Sequence, residues 1–436
     1  MKHVRKNAIV LGLLLALCMA FAIPSLGETT LKLVMWTYGV ETVLDNIAKF
    51  EATYPDINVE LEDVSWYAYP ETLAMRFASG DAPDVLYVND AWLSSWAGSQ
   101  WIVPFSEYFP EVAAEHAPLM KPYVRECITY DDKLWGLPYY VDTYVMMANG
   151  RQLEEAGITS APTTWDELML QCIAVKNAGI TEYPFIGEFH QDEHSMTNVF
   201  FSMVYSNSPS SLFDEDLNPL FAVEGSAAYE ALEWLREAAL VYEIFDPASL
   251  ALKEIDVYKA MQGGTGTFTI MEKYTLGEMN APGSGPNAGS FELYLMPGDA
   301  HGTIGSAKFY AMTAQAADKG ADVVDAVGKL IEFMGGKANS FATAKRWSVE
   351  NSLGFGYTHL YDDAAIQDGI NTWGNFAVEK EQEVLAVQME GISAPWFAEW
   401  STSLRLAIHK LLLGDKSSME VLEDLASEWN SLKATY

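Results

Sequence analysis

The sequence predicts an α/β fold in two lobes or domains. Three observations carry that prediction. Residues 30–105 read as strand, helix, strand, helix, strand. The chain of 436 residues is longer than one hydrophobic core serves. The residues just past the first and third strands, Trp36 to Tyr38 and Asn89 to Trp92, are polar or aromatic, and that is where open α/β sheets hold ligands.

Taken in order, Met1 to Lys6 carries Lys2, Arg5 and Lys6, the apolar run Ala8 to Ile23 follows, and small residues stand at Ser25 and Gly27. This is the pattern of a secretory signal cut before Glu28, and the apolar run is short for a membrane span of about 20 residues. Leu15-Ala16-Leu17-Cys18 has the outline of a lipidation box, but Leu17 is bulky where a small residue should precede the lipidated cysteine, so a lipid anchor is disfavoured. Cleavage leaves 409 residues. It removes three of the 26 bases and none of the 60 acids, which takes the net charge from −34 to −37. Such a field repels nucleic acid and anionic lipid. Of the cysteines only Cys127 and Cys172 remain, and two buried free thiols are expected.

The strand Leu31 to Trp36 leads through an amphipathic run ending at Phe50 to a second strand in YPDINVELEDV, and FASGDAPDVLYVND supplies the next helix end and strand. Tyr130 to Pro138 is a polar turn entering the apolar stretch Tyr139 to Met147. Ala161 to Leu168 opens a helix with capping-box spacing from Thr164 to Glu167, and Trp165 is read as a packing residue. Tyr183 to Phe189 reads as a strand and Met196 to Tyr205 as a helix. Asp214 to Asn218 begins like a calcium loop, but Pro219 replaces the needed glycine and Gly225 the bidentate Glu, so a solvated hairpin turn is expected. Ala227 to Val241 is an amphipathic helix. Val257 to Met271 reads as helix, glycines, strand, which is the reverse order of a phosphate loop. Ala281 to Ser290 is a loop. Phe291 to Met296 and Gly302 to Ala314 are strands, and Val323 to Met334 is a helix. Trp396 to Leu413 and Ser418 to Leu432 are two helices with a glycine stop between them.

Leu31 to Ile102, Leu134 to Leu168 and Gly391 to Trp429 closely resemble the family 1 extracellular solute-binding proteins, the maltose-binding-protein-like capture subunits of ABC importers, which mostly bind sugars. The likeness is weak over His190 to Ala222 and Ser348 to Val387, and Ala148-Asn149-Gly150-Arg151 departs from the family's Tyr-Asn-Lys run. The resemblance implies a two-lobe periplasmic-binding-protein-like fold of type II. Residues 28–141 and 302–346 would form the first lobe, and 142–301 and 347–436 the second. It places Asp142 at the lobe crossing as a sugar-binding carboxylate, turns Glu272 to Tyr274 toward the cleft, and puts Trp396 or Trp400 against the ligand. With Trp36, Tyr38, Asn89, Asp90 and Trp92 from the strand ends, Tyr144, Glu188, Gly305 and Ser306 complete the candidate ligand-binding set. The implied partners are a carbohydrate and the membrane permease of an importer. No cofactor, metal or catalytic residue is expected, and the protein should be a monomer outside the cytoplasmic membrane.

Two enzyme readings compete. His190-Gln191-Asp192-Glu193-His194 fits the H-x-x-E-H pattern of inverted zinc peptidases, yet it follows a strand rather than sitting on a helix, and no third ligand stands out. The abundant acids and 13 tryptophans could serve a glycoside hydrolase, against which the lobe-like pattern argues. A sensor of the same fold that feeds no transporter is a further alternative.

Overall fold

A computed structural model describes residues 29–436. The expected signal sequence and Cys18 lie outside them. Ten strands are formed: β1 (Thr29–Trp36), β2 (Ile57–Val64), β3 (Val85–Asn89), β4 (Thr129–Tyr130), β5 (Lys133–Leu134), β6 (Leu137–Asn149), β7 (Phe268–Glu272), β8 (Phe291–Tyr294), β9 (Thr303–Met312) and β10 (Ala386–Val387). β1 lies parallel between β2 and β3, and the helices Val40–Thr53 and Tyr69–Ser79 make the connections. The first of these helices buries Val43, Ile47 and Phe50 at helical spacing. Sheet order continues β3-β9-β6-β7, with β9 antiparallel to both β3 and β6.

β6 organises the molecule. Its thirteen residues are all buried, as the nearly unbroken apolar run of its sequence requires. Leu137 to Thr143 pair with Tyr310 to Gly305 of β9. From Tyr144 onward the partners change to Glu272–Phe268 of β7 on one side and, from Met146, to β8 on the other. One strand therefore carries the chain from one sheet half into the next.

Two apolar cores flank this crossing. One gathers β1, β3, the front of β6 and the helix Ala321–Gly335; the other gathers the helices Trp165–Asn177, Ser195–Asn207, Ala227–Leu240, Phe397–Leu412 and Ser418–Thr435. In the segment 347–373, Trp347, Tyr357 and Trp373 pack with the first core, which also takes in Leu276, Met279, Phe291 and Leu293 from beyond the crossing. Gly354 and Val141 exchange backbone hydrogen bonds, and the Tyr357 hydroxyl donates to the Gly335 carbonyl at 2.6 Å, which ties this segment to the front of β6.

Most predicted elements form within a few residues of their expected ends. One that does not is the strand at Tyr183 to Phe189: only Phe185 makes isolated bridges, to Phe245 and Phe268. Pro184 has no N–H to offer, and its carbonyl receives Thr267 and Phe268 at 2.8 Å instead. The cap at Thr164 is also half as expected. Its hydroxyl accepts from Glu167 N–H at 3.1 Å, but the Glu167 carboxylate turns to Thr163, at 2.7 Å from both its N–H and its hydroxyl. Trp165 is a packing residue, edge-on to Trp234 and donating to the Ser206 hydroxyl. Asp214 closes its turn by accepting from Asp216 and Asn218 N–H groups. Cys127 and Cys172 are free, buried, and in different cores.

Candidate functional site

A cavity of about 330 Å³ opens where the carboxyl ends of β1 and β3 meet the crossing strands. β1 delivers Trp36 and Tyr38 to its wall, β3 and the helix behind it deliver Asn89, Asp90 and Trp92, β6 delivers Tyr140 and Tyr144, and β9 delivers Gly305, Ser306 and Lys308. Glu272 and Tyr274 come from the end of β7. Ten of the fourteen candidates from the sequence therefore line one cavity.

The polar groups differ in how free they are. Asn89 caps the helix Asp90–Gly98 by accepting from Ala91 N–H at 3.0 Å. The Asp90 carboxylate accepts from the N–H groups of Ala91 and Ala307, and burial raises its pKa. Lys308 donates to Ser306 at 2.7 Å and to Glu272 at 3.2 Å, with Tyr140 beneath its ammonium. Burial works against that charge, but Glu272, Asp90 and Asp142 outweigh it and raise the lysine's pKa. Tyr274 donates to Glu254, whose carboxyl is pushed up to about 7 by burial and then by the negative charge of Glu272. Trp36 meets the cavity only at an edge, because Trp66, Tyr69, Tyr87 and Trp92 surround its ring. Gly305 has no room for a side chain: a Cβ there would strike the Tyr123 ring.

The other four candidates lie elsewhere. Asp142 is 1% exposed, and its Oδ1 accepts the N–H groups of Thr143 (2.8 Å) and Lys273 (3.0 Å). Burial and Glu272 hold this carboxyl well above the usual carboxylate range. It lies on the same face of β6 as Tyr140 and Tyr144, two positions either side, beneath the cavity lining, with Oδ2 buried and without a donor among the described residues. Glu188 is fully buried outside the lining residues. Trp396 packs on Trp429 and Tyr436, and Trp400 on Phe213 and Trp429, with its indole N–H on the Leu425 carbonyl. The second helix of the tail covers both rings.

Sequence reading missed Trp66, Tyr67, Glu254 and Lys308. The first two follow the carboxyl end of β2, so the rule that selected the ends of β1 and β3 applied to them as well. The H-x-x-E-H run forms a turn entering the helix Ser195–Asn207, in which His190 Nδ1 accepts the Asp192 N–H at 3.1 Å. Glu193 and His194 line the cavity, and burial followed by the charge of Arg405 lowers His194 to about 4.

Several solved structures share this architecture. A maltose-bound T. maritima MalE3 superposes with a TM-score of 0.79 at 17% identity, covering 93% of this chain and 100% of that one. An ABC substrate-binding protein from Listeria monocytogenes in complex with cycloalternan gives 0.77 at 17%, covering 93% and 99%. The GacH receptor of Streptomyces glaucescens, solved unliganded and with acarbose, gives 0.77 at 17%, covering 94% and 99%. An uncharacterized lipoprotein in the oleD 5′ region of Streptomyces antibioticus is 27% identical over 165 residues, which span 36% of this chain and 36% of that relative. The family described as bacterial extracellular solute-binding protein matches residues 36–341, more than half of the chain, and with the same two-lobe fold around the cavity, the protein belongs to that family.

Proposed function

We propose that the protein captures a carbohydrate in the cavity between β1, β3, β6 and β9 and delivers it to the permease of an ABC importer, without catalysing any reaction. The observation that carries this reading is the make-up of the wall. Aromatic rings of Tyr38, Trp66, Trp92 and Tyr274 offer faces on which sugar C–H groups stack, beside carboxylates that accept hydroxyls. Maltose, cycloalternan and acarbose in the structural neighbours point the same way. The ten lining candidates form the proposed contact set. The proposed lobes are residues 28–141 with 302–346 and 142–301 with 347–436, the segment around Gly354 and Tyr357 being bonded back to the first through Val141 and Gly335. Because a relative is a lipoprotein, the argument against lipid attachment at Cys18 does not stand, and we assign that cysteine as a candidate anchor. The test is a thermal-shift screen of the exported protein against mono- and oligosaccharides, because a ligand that binds only the folded chain raises its melting temperature. A shift with at least one sugar is expected. No shift with any, alongside a shift with amino acids or peptides, would overturn the carbohydrate reading.

A further inference from the structure

The charge lining the cavity is one-sided. Asp90, Glu193, Glu254 and Glu272 face two ammonium groups, Lys308, which is committed to Glu272 and Ser306, and Lys253, which pairs with Glu193 from just outside the lining. His194, the remaining basic group on the wall, is held neutral near pH 7. Asp90 has its two backbone donors. Glu193 is only 8% exposed, and its Oε1 forms an ion pair with Lys253 Nζ at 3.3 Å, too poorly aligned to count as a hydrogen bond. Behind this wall Glu188 is fully buried, with the Ser195 hydroxyl beside it. Burial, and then the charge of Glu254, holds that carboxyl well above its usual range.

Closing such a cavity on a ligand strips water from Glu193, Glu254 and Glu272. A desolvated carboxylate is costly unless it is paired or protonated. A neutral sugar hydroxyl donates one hydrogen bond and leaves the excess of carboxylates over the two ammonium groups without a countercharge. A protonated amine supplies up to three donors and the countercharge together. The same wall offers aromatic faces suited to a cation, and the neighbouring ammonium groups already use them: Lys308 lies 5.0 Å from the Tyr140 ring centre and Lys253 4.6 Å from that of Tyr67. Among the described residues no three His, Cys, Asp or Glu side chains converge as metal ligands, so an organic cation suits the wall better than a metal ion. Resting on the carbohydrate-capture reading, we propose that the cleft selects an amine-bearing sugar whose ammonium sits among Glu193, Glu254 and Glu272.

Calorimetry on the exported protein with matched pairs tests this: glucosamine against glucose, galactosamine against galactose, and fully deacetylated chitobiose against cellobiose, with spermidine as an amine without a ring. At about pH 7 the amino member of at least one pair is expected to bind about tenfold or more tightly than its neutral counterpart. Glu193→Gln and Glu272→Gln should each bring that ratio toward one. Equal or tighter binding of the neutral members would overturn the inference and leave carbohydrate capture intact. Spermidine binding with no sugar binding would overturn the carbohydrate reading and uphold selection for charge. Binding of none of these compounds would overturn the inference. A ratio unchanged in both variants would overturn the assigned seat of the ammonium.

Discussion

The Asp142 carboxylate satisfies two backbone N–H groups, Thr143 and Lys273, and that pairing determines what substitution does. Asp142→Ala leaves both donors buried and unmet, so stability should fall by about 1–3 kcal/mol, while Asp142→Asn keeps an acceptor and should fall less. Sugar affinity of both variants should stay within about threefold of the parent, measured by calorimetry beside melting curves. A tenfold loss of affinity at unchanged melting temperature would return Asp142 to the ligand. The sequence located this residue at the crossing but gave no sign of its depth, because β6 is buried on both faces and shows no alternation to tell them apart. Glu254 allows a second expectation. Its folded pKa of about 7 lies above the ordinary 4.5, so between those values the folded chain holds a proton that the unfolded chain has lost. The stability from this group is complete below about pH 4.5 and declines as pH rises through 7. Each tenfold change in proton affinity is worth about 1.4 kcal/mol. With some solvent still reaching the residue, Glu254→Gln should therefore melt higher than the parent at about pH 8 by the equivalent of about 1–3 kcal/mol. The gap should close toward pH 4.5. A constant gap across that range would show that the carboxyl does not titrate there.

At the scale of elements, the crossing rests on ion pairs sealed from water. Lys273, in the turn after β7, meets Glu379 at 2.7 Å, and Lys121 pairs with Glu383; none of the four is more than 3% exposed. Tyr361 donates to Glu383, and the Phe355 ring lies 3.9 Å from the Lys121 ammonium. Breaking one partner leaves a buried charge, so Glu379→Ala should cost about 3–5 kcal/mol, read as a lower urea midpoint. The apolar pair Lys273→Met with Glu379→Leu should recover most of that loss, since both charges leave together. A double variant no more stable than Glu379→Ala would contradict this account. The helix Phe376–Val384 could not be read from sequence as a core element, because Glu379, Gln382 and Glu383 carry the polarity of a solvated face. By contrast β1, β3 and the helices between them were plain, because their periodicity and their polar ends agree with each other.

For the whole molecule, alternation of strand and helix together with length set the α/β class and the expectation of two lobes or domains, and the resemblance to the solute-binding family supplied the crossings and the cleft. The tie between Gly354 and Val141 was not readable, since it rests on backbone bonds between residues more than two hundred apart. The same connectivity is expected to act as a hinge. The β6 pairing with β9 ends at Thr143 opposite Gly305, and pairing with β7 begins at the next residue, Tyr144 opposite Glu272. The sheet halves are thus joined through very few residues, while the cavity draws its wall from both: Tyr38 and Trp92 on one side, Asn198 and Phe397 on the other. A ligand shifts a conformational equilibrium only by its difference in affinity for the two states. A sugar touching both walls gains contacts when they approach, so it binds the closed form more tightly, as in the hinge closure established for periplasmic binding proteins. Small-angle scattering should then show a smaller radius of gyration at saturation with a sugar confirmed by calorimetry than in its absence. Identical scattering curves under those conditions would mean that the crossing strands hold the halves rigid and that ligand enters a preformed cavity.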